Sequence, residues 1–231
     1  MENPTLVLLP GFDGTGKFFA PLIEHVSAFT DVVTPSYPHD QLSYEQLCQF
    51  VCSKLPIDRK FVVIGESFSG PVAINLASAK PPGLVGVVLV ATFAKNPFPL
   101  VPKLISSGTS ILEYVKVPKQ AIKYLLLGGN DCGLVSEIQE TVSGLSSAVV
   151  ASRLQNVLCC DVRRQLAAIS VPTLLIEAGR DRLMPQSATA LLRKCLPTAH
   201  SAVIDGPHLV LQVAPAESAD VIQKFCAQIA C

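Results

Sequence analysis

Short apolar segments alternate with longer amphipathic segments along most of the chain. The apolar segments are rich in aliphatic and β-branched residues and end at turn signals such as Pro10-Gly11, Gly65 and Gly206-Pro207. This alternation predicts βαβ units and a parallel sheet, and the nearly continuous apolar character predicts strands covered by helices on both faces. The predicted strands span residues 5–9, 31–34, 61–64, 85–90, 173–177 and 201–204.

The amphipathic segments predict helices around these strands. They span residues 17–29, 44–55, 68–79, 186–195 and 214–229. The expected fold class is therefore α/β, with a mostly parallel sheet of about six strands flanked by helices.

One interval, residues 95–170, has no convincing strand pattern. Its helix-like pieces are separated by Pro97, Pro99, Pro102, Pro118 and Gly128-Gly129. We expect a helical cap insertion here, above the carboxyl edge of a core formed by residues 1–94 and 171–231. Ligands of open α/β sheets bind at that edge, so such an insertion would shape access to a site. Surface padding without a role in the site is the alternative.

Composition narrows the class of protein. The 231 residues are 49% hydrophobic and 16% charged, which fits one well-buried domain and excludes a disordered chain. The chain has 18 Lys and Arg residues in total and 18 Asp and Glu residues, so its formal net charge is zero. Without an overall positive charge, no nucleic-acid partner is expected. The longest apolar stretch, residues 84–94, is shorter than the roughly 20 residues of a transmembrane helix.

The N-terminus and the cysteines bear on the compartment. The first residues lack the basic region of a signal peptide, so a cytoplasmic location is expected. The eight cysteines form no Cys-x-x-Cys pair and have no histidine beside a cluster, so no metal site is expected. Free, mostly buried thiols are the simplest interpretation.

The strongest chemical signal is Gly65-Glu66-Ser67-Phe68-Ser69, which follows a predicted strand and leads directly into a helical pattern. A strand that turns at once into a helix strains the backbone of Ser67 and projects its side chain above the sheet. This geometry requires small residues two before and two after the serine, as found here. Ser67 is therefore the candidate nucleophile, and an ordinary helix N-cap serine is the alternative.

A serine nucleophile needs a general base, and topology selects one of the four histidines. His208 directly follows the last predicted strand and so emerges at the same edge as Ser67. Of the other three, His25 is expected within the first helix, His39 in a loop and His200 before the last strand. His208 is the candidate base, with an ordinary loop histidine as the alternative.

An acid must orient the histidine. Asp181 lies just past the end of the penultimate predicted strand, again at the carboxyl edge. Asp205 competes, but it precedes His208 by only three residues and is expected to brace the loop. The candidate order along the chain is thus Ser67, Asp181, His208.

A glycine-rich loop, Pro10-Gly11-Phe12-Asp13-Gly14, follows the first predicted strand. It lacks the Gly-Lys-Ser/Thr ending of a phosphate-binding loop and the Gly-x-Gly-x-x-Gly pattern of dinucleotide sites. Beside the nucleophile strand it is suited to present a backbone amide to an oxyanion. The amides of Phe12 and Phe68 are the candidate oxyanion hole.

Taken together, these motifs resemble the α/β-hydrolase family over nearly the whole chain. The pieces that match are the glycine-rich loop, the serine turn, Val171-Pro172-Thr173, Gly179-Arg180-Asp181 and Gly206-Pro207-His208. The resemblance implies an α/β-hydrolase fold and acyl transfer through a covalent acyl-serine, with no cofactor.

The chain departs from the usual family pattern in three ways. Ser69 stands where the serine turn usually has glycine. Pro10-Gly11 stands where many members carry His-Gly, which removes one usual brace of the oxyanion loop. The chain also begins at what looks like the family's third strand, so the sheet is expected to be a shortened one.

The resemblance leads us to expect a serine hydrolase acting on carboxylic esters of small or medium acyl groups. An acyl-thioester hydrolase or acyltransferase is an alternative, because the same three residues serve both reactions. A ligand-sensing receptor with little turnover is another.

Lysines in the insertion suggest a partner. Residues 95–123 carry five lysines and one glutamate, and Lys119 and Lys123 are expected on one helix face. Near the site entrance they would attract coenzyme A phosphates or an acidic acyl carrier protein. A solvated helix face is the alternative interpretation.

Overall fold

A computed structural model describes residues 3–101, 118–129 and 133–229. At its centre six parallel strands form one sheet in the order β2-β1-β3-β4-β5-β6. The strands are β1 Thr5–Leu9, β2 Val32–Val33, β3 Phe61–Glu66, β4 Leu84–Val90, β5 Thr173–Ala178 and β6 His200–Ile204. The predicted α/β class and the predicted parallel sheet of about six strands are confirmed.

Helices cover both faces of the sheet because successive strand residues point in opposite directions. The helices that pack on the sheet are α1 Ala20–Val26, α2 Tyr44–Cys52, α3 Gly70–Ala79, α8 Gln186–Cys195, α9 Val210–Val213 and α10 Pro215–Ile229. Phe61 and Val63 of β3 pack with α2, α3 and α8, whereas Val62 and Ile64 pack with α1, α9 and α10.

Helix boundaries differ from the sequence prediction where caps and tight turns intervene. Ser43 and Gln46 form a reciprocal capping box that starts α2 at the predicted position. A 3₁₀ turn, Ser67–Ser69, replaces the first predicted turn of α3, and another, Lys17–Phe19, precedes α1. Helix α9 was not predicted, because its four residues are too few to show a helical period.

Between β4 and β5, the described residues include four helices. We call α4 to α7 the helical segment. Its helices are α4 Lys119–Ala121, which continues as a π turn Ile122–Leu126, α5 Leu134–Ser143, α6 Ser147–Cys159 and α7 Arg163–Leu166. The segment packs on the core partly through a cluster that joins Phe18 to Ile122, Leu127, Val135 and Ile138.

Cysteines 48, 52, 159, 160, 195 and 226 are free thiols, and Cys132 and Cys231 lie outside the described residues. No helix within the described ranges combines the length and apolar character needed to cross a bilayer.

The core contains a carboxyl group, that of Glu66 at the end of β3. Glu66 is 2% exposed, and its Oε2 accepts a hydrogen bond of 3.0 Å from Nε2 of Gln212 on α9. Its Oε1 has no partner among the described residues. Burial raises the pKa of Glu66 to about 8; the Gln212 hydrogen bond opposes this and the nearby charge of Asp13 adds to it. Glu66 therefore holds a proton near neutral pH.

Glu66→Gln should change how stability depends on pH. A carboxyl group whose pKa is raised by folding stabilises the folded state fully at pH values below its pKa in the unfolded chain. This contribution to the free energy of unfolding is lost as the pH rises towards about 8. The loss is at most about 1.4 kcal/mol per pH unit. The neutral glutamine has no proton to release, so its stability relative to the wild type should increase with pH. Urea unfolding from about pH 5 to pH 9 measures this.

Glu24→Gln is the matched control, because Glu24 is exposed on α1. It should keep the wild-type pH dependence. A Glu66→Gln variant whose free energy of unfolding parallels the wild type across this range would contradict a proton held by Glu66.

Candidate active site

The backbone at Ser67 is strained, as the sequence predicted. Ser67 has φ of 50°, in the left-handed region that non-glycine residues rarely adopt. A Cβ on Gly65 would lie 2.6 Å from the Cβ of Ala73 and 2.8 Å from the carbonyl oxygen of Ser69. Glycine at position 65 is therefore required for β3 to turn directly into α3.

Thr92, two residues beyond the end of the neighbouring strand β4, stabilises this turn. Its hydroxyl donates a 2.5 Å hydrogen bond to the carbonyl of Ser67. Its side chain also occupies the space that a Cβ on Gly70 would need. Ala91, just beyond β4, has φ of 43°. The role of Thr92 has no local sequence signal, because it depends on a contact between segments that follow two different strands.

Ser67, His208 and Asp181 lie in one hydrogen-bonded series. His208 Nε2 is 2.8 Å from Ser67 Oγ, and His208 Nδ1 is 2.8 Å from Asp181 Oδ2. Because a carboxylate only accepts, Nδ1–H donates to Asp181 and Nε2 is left to accept from the serine hydroxyl. His208 is 1% exposed, so bulk water does not compete for these bonds.

The other oxygen of Asp181 is also occupied. Oδ1 accepts hydrogen bonds from the amides of Leu183 and Met184, at 2.8 and 2.9 Å. These amides fix the carboxylate after β5, so that Oδ2 faces the imidazole. The structure thus brings together the three side chains that the sequence singled out.

The rejected candidates lie elsewhere. The side chain of Asp205 is 81% exposed and pairs with Arg180 Nε at 2.7 Å, which joins the loops after β5 and β6. His200 is the first residue of β6 and packs edge-on to Phe225, with ring centroids 6.2 Å apart.

The two residues chosen for their amides lie beside Ser67. Phe12 and Phe68 line the same cavity as Ser67, and their rings meet edge to face at 5.8 Å. The Phe68 amide is in the first helical turn, where N–H groups lack intrahelical partners. Among the described residues no acceptor takes the Phe12 amide. Both donors are therefore available to a ligand.

Ser69 joins the serine turn to the glycine-rich loop. Its buried hydroxyl donates to the carbonyl of Pro10 and accepts a 2.6 Å hydrogen bond from the Tyr37 hydroxyl. Burial raises the pKa of Tyr37 far above its ordinary value, against the effect of the Ser69 bond, so Tyr37 remains a donor. The sequence identified Ser69 only as a small residue two positions after Ser67.

A cavity of about 520 Å³ opens above Ser67. This volume lies in the range of small-molecule sites. The wall is mainly apolar, and the helical segment contributes Ile122, Leu126, Ile138, Val142 and Val150 to it. Phenylalanines supply much of the remaining wall: Phe12, Phe18, Phe19, Phe68, Phe93 and Phe98.

The lysines of residues 95–123 are not among the described residues that line this cavity. Lys119 Nζ donates to Ser136 Oγ at 3.1 Å within the helical segment. Lys103 and Lys116 lie outside the described residues. Recognition of an anionic carrier stays a prediction.

Comparison with known proteins finds relatives that are named as hydrolases. The chain is 25% identical over 242 residues to a protein of Azorhizobium caulinodans named "Putative carbamate hydrolase RutD", covering 97% of this chain and 91% of that protein. It is 23% identical over 247 residues to the pimeloyl-[acyl-carrier protein] methyl ester esterase of Aeromonas salmonicida, covering 97% and 96%.

A solved structure shares the fold. A thermophilic esterase from Thermogutta terrifontis superposes with a TM-score of 0.81 at 20% identity, covering 99% of this chain and 91% of that one. The family model described as "Alpha/beta hydrolase family" matches residues 6–221. This chain, with its six-stranded parallel sheet and its strained serine turn, belongs to the alpha/beta hydrolase family.

Proposed function

We propose that this protein is a serine hydrolase that cleaves carboxylic esters of small or medium acyl groups. Ser67 is the nucleophile, His208 the general base and Asp181 the residue that orients the histidine. The observation that carries the proposal is the hydrogen-bonded series from Ser67 through His208 to Asp181, of which Ser67 and His208 line an apolar cavity.

In the acylation step, Ser67 Oγ attacks the ester carbonyl carbon while His208 Nε2 takes the hydroxyl proton. The carbonyl electron pair moves onto oxygen, and the amides of Phe12 and Phe68 stabilise the resulting oxyanion. As the carbon–oxygen double bond re-forms, the bond to the alcohol oxygen breaks. His208 gives its proton to the leaving alcohol.

Deacylation repeats these steps with water. His208 takes a proton from water, whose oxygen attacks the acyl carbon and forms a second oxyanion in the same hole. Collapse breaks the bond to Ser67 Oγ, which regains the proton from His208. The products are a carboxylic acid and free enzyme, and no cofactor is needed to balance the reaction.

The cavity favours an uncharged acyl group. Its mainly apolar wall stabilises a hydrocarbon chain, and its volume of about 520 Å³ limits the length of that chain.

We propose that residues 95–170 form a cap on a core of residues 1–94 and 171–231, since the helical segment supplies part of this wall. The Aeromonas salmonicida relative, an ester hydrolase by name, supports an ester substrate.

Ser67→Ala should lower ester turnover by roughly 10⁴- to 10⁶-fold, the usual scale for loss of such a nucleophile. The measurement is kcat/KM with p-nitrophenyl esters of increasing chain length, together with acyl-CoA thioesters. Faster turnover of the thioesters would assign the alternative thioesterase activity to the same site. A single stoichiometric burst without turnover would instead indicate a receptor.

Ser143→Ala is the matched control, because Ser143 lines the same cavity. It should retain activity within about tenfold of the wild type. Turnover in Ser67→Ala at the level of this control would refute Ser67 as the nucleophile.

Asp181→Asn should lower kcat by about 10⁴-fold. Two amides hold Oδ1 of Asp181, so the asparagine would keep its oxygen there and turn its NH₂ group towards His208. Nδ1 of His208 would then have to accept, Nε2 would carry the proton, and the serine hydroxyl would lose its base. Steady-state kinetics at neutral pH measures the effect.

Asp205→Asn serves as the comparison, because its exposed carboxylate contacts Arg180 rather than the imidazole. Activity should stay within about tenfold of the wild type. If Asp205→Asn is the more damaging substitution, the acid has been assigned to the wrong residue.

A further inference from the structure

A buried arginine of the helical segment contacts the glycine-rich loop. Arg153 lies on α6 and is only 3% exposed, although arginine is seldom buried without partners. Its Nη1 donates a 2.6 Å hydrogen bond to the carbonyl of Phe12, and Nη2 lies 3.5 Å from the carbonyl of Pro38. The guanidinium thus joins the helical segment to backbone on the core side of the site.

The loop is shaped to receive this side chain. Gly14 has φ of 74°, and a Cβ there would lie 2.6 Å from Nη2 and 2.8 Å from Nη1 of Arg153. Burial lowers the pKa of Arg153, while Asp13 and Tyr37 raise it. The adjacent carboxylate therefore helps a charged guanidinium remain inside the protein.

Arg153 and Ser69 hold the loop on either side of the Phe12 amide. Ser69 donates to the carbonyl of Pro10, in the peptide plane before Gly11. Arg153 donates to the carbonyl of Phe12, in the peptide unit between Phe12 and Asp13. The Phe12 N–H belongs to the peptide unit between these two. Because peptide units are planar, fixing both neighbouring planes restricts the direction in which the Phe12 N–H points.

We propose that Arg153 is a positioning residue for the oxyanion hole, which fixes the Phe12 amide from the helical segment. This inference rests on the proposed function. Arg153 is not among the described residues that line the cavity, so it acts through the loop rather than on the substrate. An intact helical segment is thus needed for catalysis as well as for closing the cavity.

The effect should fall on kcat. An oxyanion develops only as the carbonyl is attacked. A misdirected amide therefore stabilises the transition state less but leaves binding of the ester unchanged. A residue needed only for folding would lower the melting temperature without changing kcat per folded molecule.

Arg153→Met, which keeps the length of the side chain, should lower kcat between about 10-fold and 100-fold, less than complete loss of an oxyanion donor. KM should stay within about twofold. Arg163→Met is the matched control: it removes an exposed arginine of α7 that pairs with Asp161, and its kcat should equal that of the wild type.

An inhibitor pair isolates the oxyanion hole. An alkyl trifluoromethyl ketone forms a tetrahedral adduct with an oxyanion, whereas the matching methyl ketone binds mainly as the ground state. Arg153→Met should lower the affinity for the trifluoromethyl ketone by the same factor as it lowers kcat. The affinity for the methyl ketone should stay unchanged. Arg153→Lys, which can donate to one carbonyl, should lose only about threefold to tenfold in both readouts.

Wild-type turnover and its loss in Ser67→Ala test the proposed function separately. With that established, a folded Arg153→Met variant with wild-type kcat overturns the inference, as does equal weakening of both ketones. If Arg153→Met does not fold, Arg153→Lys decides: parallel losses in kcat and trifluoromethyl ketone affinity support the role, and no loss in either overturns it.

Discussion

The left-handed backbone at Ser67 is the constraint on which the site depends. Such a conformation costs on the order of 1–3 kcal/mol and persists only where the surroundings enforce it. Here β3 fixes the residues before the serine, α3 fixes those after it, and Thr92 holds its carbonyl. Gly65 and Gly70 allow the close packing that this turn requires. The position of the hydroxyl above the sheet follows from these contacts.

Two departures from the usual family pattern meet in one hydrogen bond. Ser69 replaces the glycine of the serine turn, and Pro10 stands where many members carry histidine. The Ser69 hydroxyl donates a hydrogen bond to the Pro10 carbonyl and accepts one from the Tyr37 hydroxyl. The loop therefore gains a brace from the serine turn itself, and the two segments that carry the Phe12 and Phe68 amides are joined directly.

Local pattern was sufficient for the sheet and for the choice of Ser67, Asp181 and His208. Apolar runs identify strands, and parallel strands place whatever follows them at one edge, so residues far apart in sequence could be brought together. Arg153 could not be found in this way. Its partner Phe12 is 141 residues away, and a helical arginine reads as a surface residue until α6 is placed. The proton on Glu66 was equally hidden, since it depends on burial.

The central claim is that Ser67 is a nucleophile activated by His208. Reaction with an alkyl fluorophosphonate tests it without knowledge of the natural substrate, because this reagent phosphonylates activated serines. Peptide mapping by mass spectrometry should find one phosphonyl group on the peptide that contains Ser67, strongly reduced labelling in His208→Ala and none there in Ser67→Ala. A wild-type protein that stays unlabelled, or is labelled at another serine, would contradict the account.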